Sequence, residues 1–106
     1  MPSEVLARED FRREVKRKLQ QLGRRLRDAR QARGLTQEQA AEIMGLHPKS
    51  IPRLERGTAN PTVSTLLAAS VAYKVPLRDL LLETEEEDSG KRRTERFDPD
   101  APKADP

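Results

Sequence analysis

The sequence has 106 residues, which is room for one domain with short extensions. Charged residues make up 37% and apolar residues 34%, a polar balance that predicts some chain outside a packed core. The absence of cysteine excludes disulfides and cysteine-based metal sites. Because no apolar run approaches the roughly 18 residues of a membrane helix, and no signal-peptide pattern is present, we expect a cytoplasmic protein with no membrane contact.

Charge is distributed unevenly along the chain. Residues 1–35 carry 11 Lys and Arg against 5 Asp and Glu. Residues 36–82 carry 5 against 4, and residues 83–106 carry 5 against 9. The basic first part indicates either a polyanionic partner or an arginine-coated helix face, and the acidic end indicates a solvated tail.

The first third of the chain predicts helix. Residues 3–33 contain no proline and a single glycine, Gly23. Apolar side chains recur there at steps of three and four, namely Val15, Leu19, Leu22, Leu26 and Ala29. This spacing places them on one helical stripe, on either one long helix or two helices that meet near Gly23. Gly34 is the predicted stop.

A short helix is predicted over residues 36–44. Thr36 is a suitable N-cap, and Gln39 stands three residues later, as a capping box requires. The predicted buried face consists of Ala40, Ile43 and Met44.

A second short helix is predicted over residues 48–56, with Ile51 and Leu54 on its inner face and Gly57 as its stop. Gly45 supplies the tight turn between the two short helices. Two such helices joined by a turn are the pattern of a helix-turn-helix. A major groove about 12 Å wide accepts one projecting helix.

Two further helices complete the predicted domain. Thr62 or Ser64 caps the first, which runs through Tyr73 with its inner side formed by Val63, Leu66, Leu67, Ser70 and Val71. Pro76 opens the second, with Leu77, Leu80 and Leu81 directed inward. Apolar residues become rare from about Glu83, so we expect residues 84–106 to form a disordered acidic tail.

The order of these motifs resembles the Cro/repressor-type (Xre-type) helix-turn-helix family. Residues 22–82 carry the resemblance, through residues 35–41, 45–46, 51–57, 60–62, 66–67 and 75–81. The resemblance implies an all-α fold, with a five-helix repressor-like domain over residues 19–83 and residues 1–18 as a helical N-terminal extension. It also implies a transcriptional regulator that binds double-stranded DNA sequence-specifically, usually as a homodimer on an inverted-repeat operator.

The resemblance assigns roles to individual positions. Lys49 and Arg53 match exposed positions that read base edges, and Ser50 between them contacts a base or a phosphate. Arg and Lys suit guanine, whose O6 and N7 accept together. Positions that match contacts with the DNA backbone are Gln37, which also supports the recognition helix, together with Arg56, Thr58, Asn60 and Thr62. Arg30 and Glu55 match an ion pair that braces the first helix against the recognition helix.

Two prolines depart from the family pattern. Pro48 stands where many relatives place a polar base-reading residue. Pro52, at the fifth position of the predicted helix, removes a backbone hydrogen bond at a cost on the order of 3 kcal/mol. The sequence predicts either a helix that is bent or 3₁₀-like at its start, or one that no longer reads DNA. The second alternative makes the chain a protein-interaction module on a helix-turn-helix scaffold.

Catalytic and metal-binding patterns are not found in the sequence. His47, the single histidine, occupies the cap position before Pro48 and is expected to contact a turn or a phosphate. The four acids at 85–88 are interpreted as part of a solvated tail. No paired carboxylates on a rigid element, nucleophile–base pair or phosphate-cradling loop is present, so we expect no enzyme activity, no cofactor and no metal.

Residues 1–18 precede the family resemblance, and Phe11 and Val15 continue the apolar stripe into them. Three alternatives stay open for this extension. It pairs with its copy in a dimer, it folds back over the domain's own core, or it forms a basic arm along phosphates. The cationic residues of such an arm are Arg8, Arg12, Arg13, Lys16, Arg17 and Lys18.

Overall fold

The computed structural model describes residues 2–82, with side chains from Glu4 onward. It contains six helices: α1 (Pro2–Ala7), α2 (Glu9–Ala32), α3 (Gln37–Met44), α4 (Ser50–Arg56), α5 (Val63–Tyr73) and α6 (Leu77–Leu81). No strand occurs within the described range, and the predicted all-α class is confirmed. Helices α2 to α6 are the five predicted domain helices, and α1 lies in the predicted extension. The predicted acidic tail lies outside the described residues.

The first domain helix, α2, is one continuous helix of 24 residues that runs through Gly23. The break in the extension falls at Arg8 instead, where the backbone is extended with φ −71° and ψ 137°. Gly23 is tolerated inside the helix because α4 packs directly against it. A Cβ atom there would lie 2.7 Å from the carbonyl oxygen of Leu54, and closer still to that of Glu55. The glycine therefore lets two helix backbones approach each other.

The core is formed where α2 packs against α4, α5 and α6, with α3 packed against α4 and α5. Its buried apolar residues are Leu22, Leu26, Ala40, Ala41, Ile51, Leu54, Ala69, Ala72, Tyr73 and Leu80. Four of the ten are alanines, whose small side chains allow neighbouring helices to pack closely. The inward positions predicted for α2, α4 and α6 at Leu22, Leu26, Ile51, Leu54 and Leu80 are confirmed. Leu81, which was also predicted to face inward on α6, is 54% exposed, so that prediction is wrong.

The face predicted for α3 is partly wrong. Ala40 is fully buried and Met44 is half-buried, but Ile43 is 57% exposed. Ala41 takes the inner position instead, with 1% exposure. The apolar residues of α3 span an arc of about 160° at 100° per residue, which is wider than the contact with the core, so their spacing does not determine which edge of the arc faces inward.

The face predicted for α5 is also rotated. Val63, Leu67 and Val71 are 67%, 49% and 77% exposed, whereas Ala69, Ala72 and Tyr73 are buried. Leu66 and Ser70 lie between these two sides and are half-buried. Nearly every residue of α5 is apolar or small, so the neighbours, which fit alanines best, decide its orientation. The result is an apolar stripe on the outside of the domain.

Candidate nucleic-acid interface

Helix α3 begins at the predicted capping box. The Thr36 hydroxyl accepts a hydrogen bond from the Gln39 backbone N–H at 3.0 Å, and the Gln39 side chain accepts one from the Thr36 N–H at 2.9 Å. Two backbone donors at the helix start are thereby satisfied, which stabilises a helix too short to persist alone.

The turn between α3 and α4 depends on Gly45. This residue adopts the left-handed conformation, with φ 74° and ψ 32°, which residues with a side chain reach at a cost. The next N–H, that of Leu46, donates back to the carbonyl of Ala41 at 2.8 Å and closes the helix end. The chain can therefore reverse sharply into the segment that leads to α4.

The start of α4 differs from the prediction. The helix begins at Ser50, two residues after Pro48. Residues 47–49 form a tight turn, in which the Ser50 N–H donates to the His47 carbonyl at 2.9 Å and the Lys49 N–H donates to His47 Nδ1 at 3.1 Å. His47 thus lies in a turn, one of the two contacts expected for it.

Because of this later start, Pro52 is the third residue of α4 and not the fifth. The N–H groups of the first helical residues have no acceptor within the helix, so the proline removes no intrahelical hydrogen bond. The predicted loss of a backbone hydrogen bond at Pro52 is therefore wrong. The error arose because the predicted helix began two residues before the observed start at Ser50.

The three side chains predicted to read bases lie at the start and on the outer side of α4. Lys49 and Arg53 are exposed, and Ser50 is half-buried between them. Lys49 and Arg53 are four positions apart, which is about one helical turn. Ile51 and Leu54 hold the opposite side in the core with 1% and 8% exposure. The positively charged side chains of Lys49 and Arg53 are therefore exposed on a helix whose opposite side is fixed in the core.

The loop after α4 carries the side chains predicted to contact the DNA backbone. Arg56, Thr58, Asn60 and Thr62 are all exposed. The Thr58 hydroxyl donates to the Arg53 carbonyl at 3.2 Å, and the Thr62 hydroxyl accepts from the Thr65 N–H at 3.1 Å as the N-cap of α5. These bonds fix the two ends of the loop.

A buried ion pair joins α2 to α4. Arg30 Nε lies 2.6 Å from Glu55 Oε2, and Arg30 Nη2 lies 3.2 Å from Glu55 Oε1. Their side chains are only 10% and 5% exposed. Arg30 also donates to the Leu35 carbonyl at 2.8 Å, and Gln37 Nε2 donates to Glu55 Oε1 at 3.0 Å. Gln37 therefore connects the start of α3 to the same carboxylate.

The pKa values of two groups at this ion pair, Arg30 and Tyr73, are shifted from their ordinary values. The hydrogen bonds with Glu55 raise the pKa of Arg30 above its ordinary value, against an opposing effect of burial. Burial raises the pKa of Tyr73 to about 12, and the charge of Glu55 adds to this while Arg30 opposes it. No pattern in the sequence indicates that Tyr73 lies near the pair, because α5 meets α2 and α4 only in the folded chain.

A second close approach holds the end of α4. A Cβ atom on Gly57 would lie 2.8 Å from the Cα of Gln20 on α2. Gly57 also has a positive φ of 77°. Sequence analysis identified this glycine as a helix stop, but its packing role needs the three-dimensional contact with α2. Together with Gly23, it sets how closely α4 lies on α2.

The profile of the helix-turn-helix family matches residues 26–80, which is more than half of the chain and includes α3, α4 and the turn between them. The chain belongs to the Cro/repressor-type helix-turn-helix family. The structure of the restriction-modification controller protein C.AhdI from Aeromonas hydrophila is similar, with a TM-score of 0.57 and 35% sequence identity, over 58% of this chain and 94% of that one.

Two regulators of the family are also similar in sequence. The transcriptional regulator PuuR from Escherichia coli is 36% identical over 66 residues, which are 62% of this chain and 36% of PuuR. The regulator ImmR from Bacillus subtilis is 40% identical over 60 residues, which are 57% of this chain and 47% of ImmR. The match thus spans less than half the length of these two relatives.

The family match begins within α2 and leaves α1 and the first part of α2 outside it. Within residues 2–82, no helix combines the length and apolar character needed to cross a membrane. The same range holds no group of three or more His, Asp or Glu side chains arranged to hold a metal ion. The acids at 85–88 lie outside it.

Proposed function

We propose that this helix-turn-helix chain is a sequence-specific DNA-binding transcriptional regulator. One observation carries the proposal: Ile51 and Leu54 fix α4 in the core, while Lys49 and Arg53 project from its outer side. A helix held in this way can enter the major groove with its side chains already positioned. The names of PuuR and ImmR, both transcriptional regulators, support the same function.

In the proposed complex, contacts divide into base reading and positioning. Arg53 donates two hydrogen bonds to guanine O6 and N7, Lys49 reads a neighbouring base, and Ser50 contacts a base or a phosphate. Phosphates are contacted by Gln37, Arg56, Thr58, Asn60 and Thr62, which set the register on the duplex without selecting its sequence. The capped helix start and the hydrogen-bonded loop ends support this role by limiting the movement of the polar groups.

The regulator acts as a homodimer in this proposal. The exposed stripe of Val63, Leu67 and Val71 supports it, because these residues recur at four-residue steps on one side of α5. Helix α5 contains no charged residue, so two copies can pair along the stripe without charge repulsion. A two-fold dimer then meets an inverted repeat, with half-sites centred about 10–10.5 bp apart.

Selection of bound sequences from random DNA tests the DNA-binding proposal most directly. We expect an enriched inverted repeat, and binding that weakens steeply with salt as phosphates release counterions. Arg53→Ala should relax preference at one base position, by about 1–3 kcal/mol of discrimination. Arg56→Ala should weaken binding to all sequences alike. If neither substitution changes affinity for any DNA, the protein-interaction module becomes the better interpretation.

The homodimer is tested by mass in solution. Leu67→Lys places a charge in the middle of the α5 stripe and should convert a dimer into monomers. Gln31→Lys, an equal charge change at an exposed position of α2, is the control and should leave the mass unchanged. A dimer that survives Leu67→Lys would exclude the α5 stripe as the interface, without bearing on whether α4 reads DNA.

A further inference from the structure

An apolar groove lies between the first half of α2 and α6. It has a volume of about 280 Å³. Its apolar lining consists of Phe11, Val15, Leu19, Leu22, Leu80 and Leu81. Phe11, Val15 and Leu19 lie outside the family match, and the groove is remote in sequence from α3 and α4. The DNA-reading proposal therefore leaves this surface unexplained.

The rim of the groove combines apolar and charged groups. Lys18 and Arg25 line it together with Glu14. Over residues 9–25, α2 carries seven Lys and Arg against three Asp and Glu. A second copy of this helix would bring like charges together, which opposes symmetric pairing along the groove. An occupant with negative charge and one large apolar side chain fits the surface better.

The chain itself contains such a segment. Leu82, the last described residue, directly follows Leu81 in the groove wall. The next residues include four consecutive acids at 85–88, and Phe97 is the single aromatic residue of 83–106. We propose that the groove binds residues 83–97 of the same chain, with Phe97 in the apolar lining and the acids beside Lys18 and Arg25.

The chain between Leu82 and Phe97 is long enough to place Phe97 anywhere along the groove. Phe97 lies fifteen positions after Leu82, and an extended chain of that length spans up to about 50 Å. The groove follows α2 from Phe11 to Leu22, which is about 17 Å at 1.5 Å per residue. A short tether also keeps the segment at an effective concentration in the millimolar range, so a modest apolar and ionic contact suffices for binding.

The absence of cysteine allows a direct test with the full chain. Ser89→Cys provides a single attachment site for a nitroxide label. We expect the label to broaden the methyl NMR signals of Val15 and Leu19 on α2, and to leave those of Ile43 on α3 sharp. Equal, weak broadening of all these methyl groups would overturn the proposal.

Two variants of the labelled chain separate the apolar contact from the charged one. Phe97→Ala should restore the groove signals at least in part, and Phe97→Leu should retain the broadening. Neutralising the acids through Glu85→Gln, Glu86→Gln, Glu87→Gln and Asp88→Asn should also restore the signals. If broadening persists in both the Phe97→Ala chain and the neutralised chain, the assigned occupant is wrong.

A mixed sample decides whether the occupant comes from the same molecule. Isotope-labelled chains without cysteine are combined with nitroxide-labelled chains that carry no isotope. We expect no broadening in the mixture, because the segment binds its own groove. Broadening between molecules would overturn the proposal in favour of exchange between two copies. Neither result depends on DNA binding, so this test and that of the regulator function can fail separately.

Discussion

The guanidinium of Arg30 and the carboxylate of Glu55 meet through two contacts, the shorter of which is 2.6 Å. The pair connects α2 to α4, and Gln37 adds α3 through its hydrogen bond to the same carboxylate. Because both charged side chains are nearly inaccessible, each depends on the other for compensation of its lost hydration. The position of α4 therefore depends on this pair as well as on the apolar core.

Removal of one partner should be costly. Glu55→Ala leaves the Arg30 guanidinium buried without its carboxylate, and we expect a loss of about 3–5 kcal/mol in the free energy of unfolding. Urea denaturation of the two proteins measures the difference. Asp79→Ala is the control, because Asp79 belongs to an exposed pair with Arg78 at 3.9 Å and such pairs contribute about 0–1 kcal/mol. Equal effects of the two substitutions would contradict the bracing role.

The phenol of Tyr73 makes the free energy of unfolding vary with pH in the alkaline range. Its pKa of about 12 in the folded chain lies above the ordinary value of 10, so the fold favours the neutral form. The resulting stabilisation is complete below pH 10 and is lost as pH rises toward 12, by about 3 kcal/mol in total. Tyr73→Phe should remove this dependence. Denaturation midpoints between pH 9 and pH 12 test it: parallel curves for both proteins would be inconsistent with the shift.

Gly57 is subject to two constraints, of which Gly45 shares only the first. Both glycines have positive φ angles, 77° and 74°, but only at Gly57 would a Cβ meet the backbone of Gln20. Gly45→Ala should therefore cost the left-handed strain alone, about 1–2 kcal/mol. Gly57→Ala should cost clearly more, because α4 must also move away from α2. Thermal unfolding of both variants measures the two losses of stability. Similar losses would contradict the packing role of Gly57, because they would show that α2 and α4 move apart at little cost.

Local signals in the sequence were sufficient for the presence of the helices and for most of their ends, but they placed the start of α4 two residues too early. The capping box at Thr36 and the stop at Gly45 depend on residues close together in the chain, and both are present. The side of α5 that faces inward could not be derived in this way. Alanines and larger apolar residues alternate around that helix, and only the shape of the neighbouring helices selects Ala69 and Ala72 for the interior.

In the candidate site, too, some features follow from the local sequence and others only from the packing of the helices. Exposure of Lys49 and Arg53 follows from the inward positions of Ile51 and Leu54 on a short helix. The effect of the Arg30–Glu55 pair on the pKa of Tyr73 leaves no local trace in the sequence, because Tyr73 is 18 positions away from Glu55 along the chain. Resemblance to the family supplied the pairing of Arg30 with Glu55, which are 25 positions apart and which spacing alone does not connect.

Substitution of Pro52 tests where α4 begins. As the third residue of α4, it occupies a position whose N–H would have no intrahelical acceptor. Pro52→Ala should therefore change the free energy of unfolding by less than about 1 kcal/mol, with a small loss because alanine leaves the unfolded chain more freedom. Arg53→Pro, one position later, removes the first N–H that has an acceptor within the helix and should cost about 3 kcal/mol. Chemical denaturation distinguishes these cases. A stabilisation near 3 kcal/mol in Pro52→Ala would mean that the helix extends back to Pro48, and that the proline strains it after all.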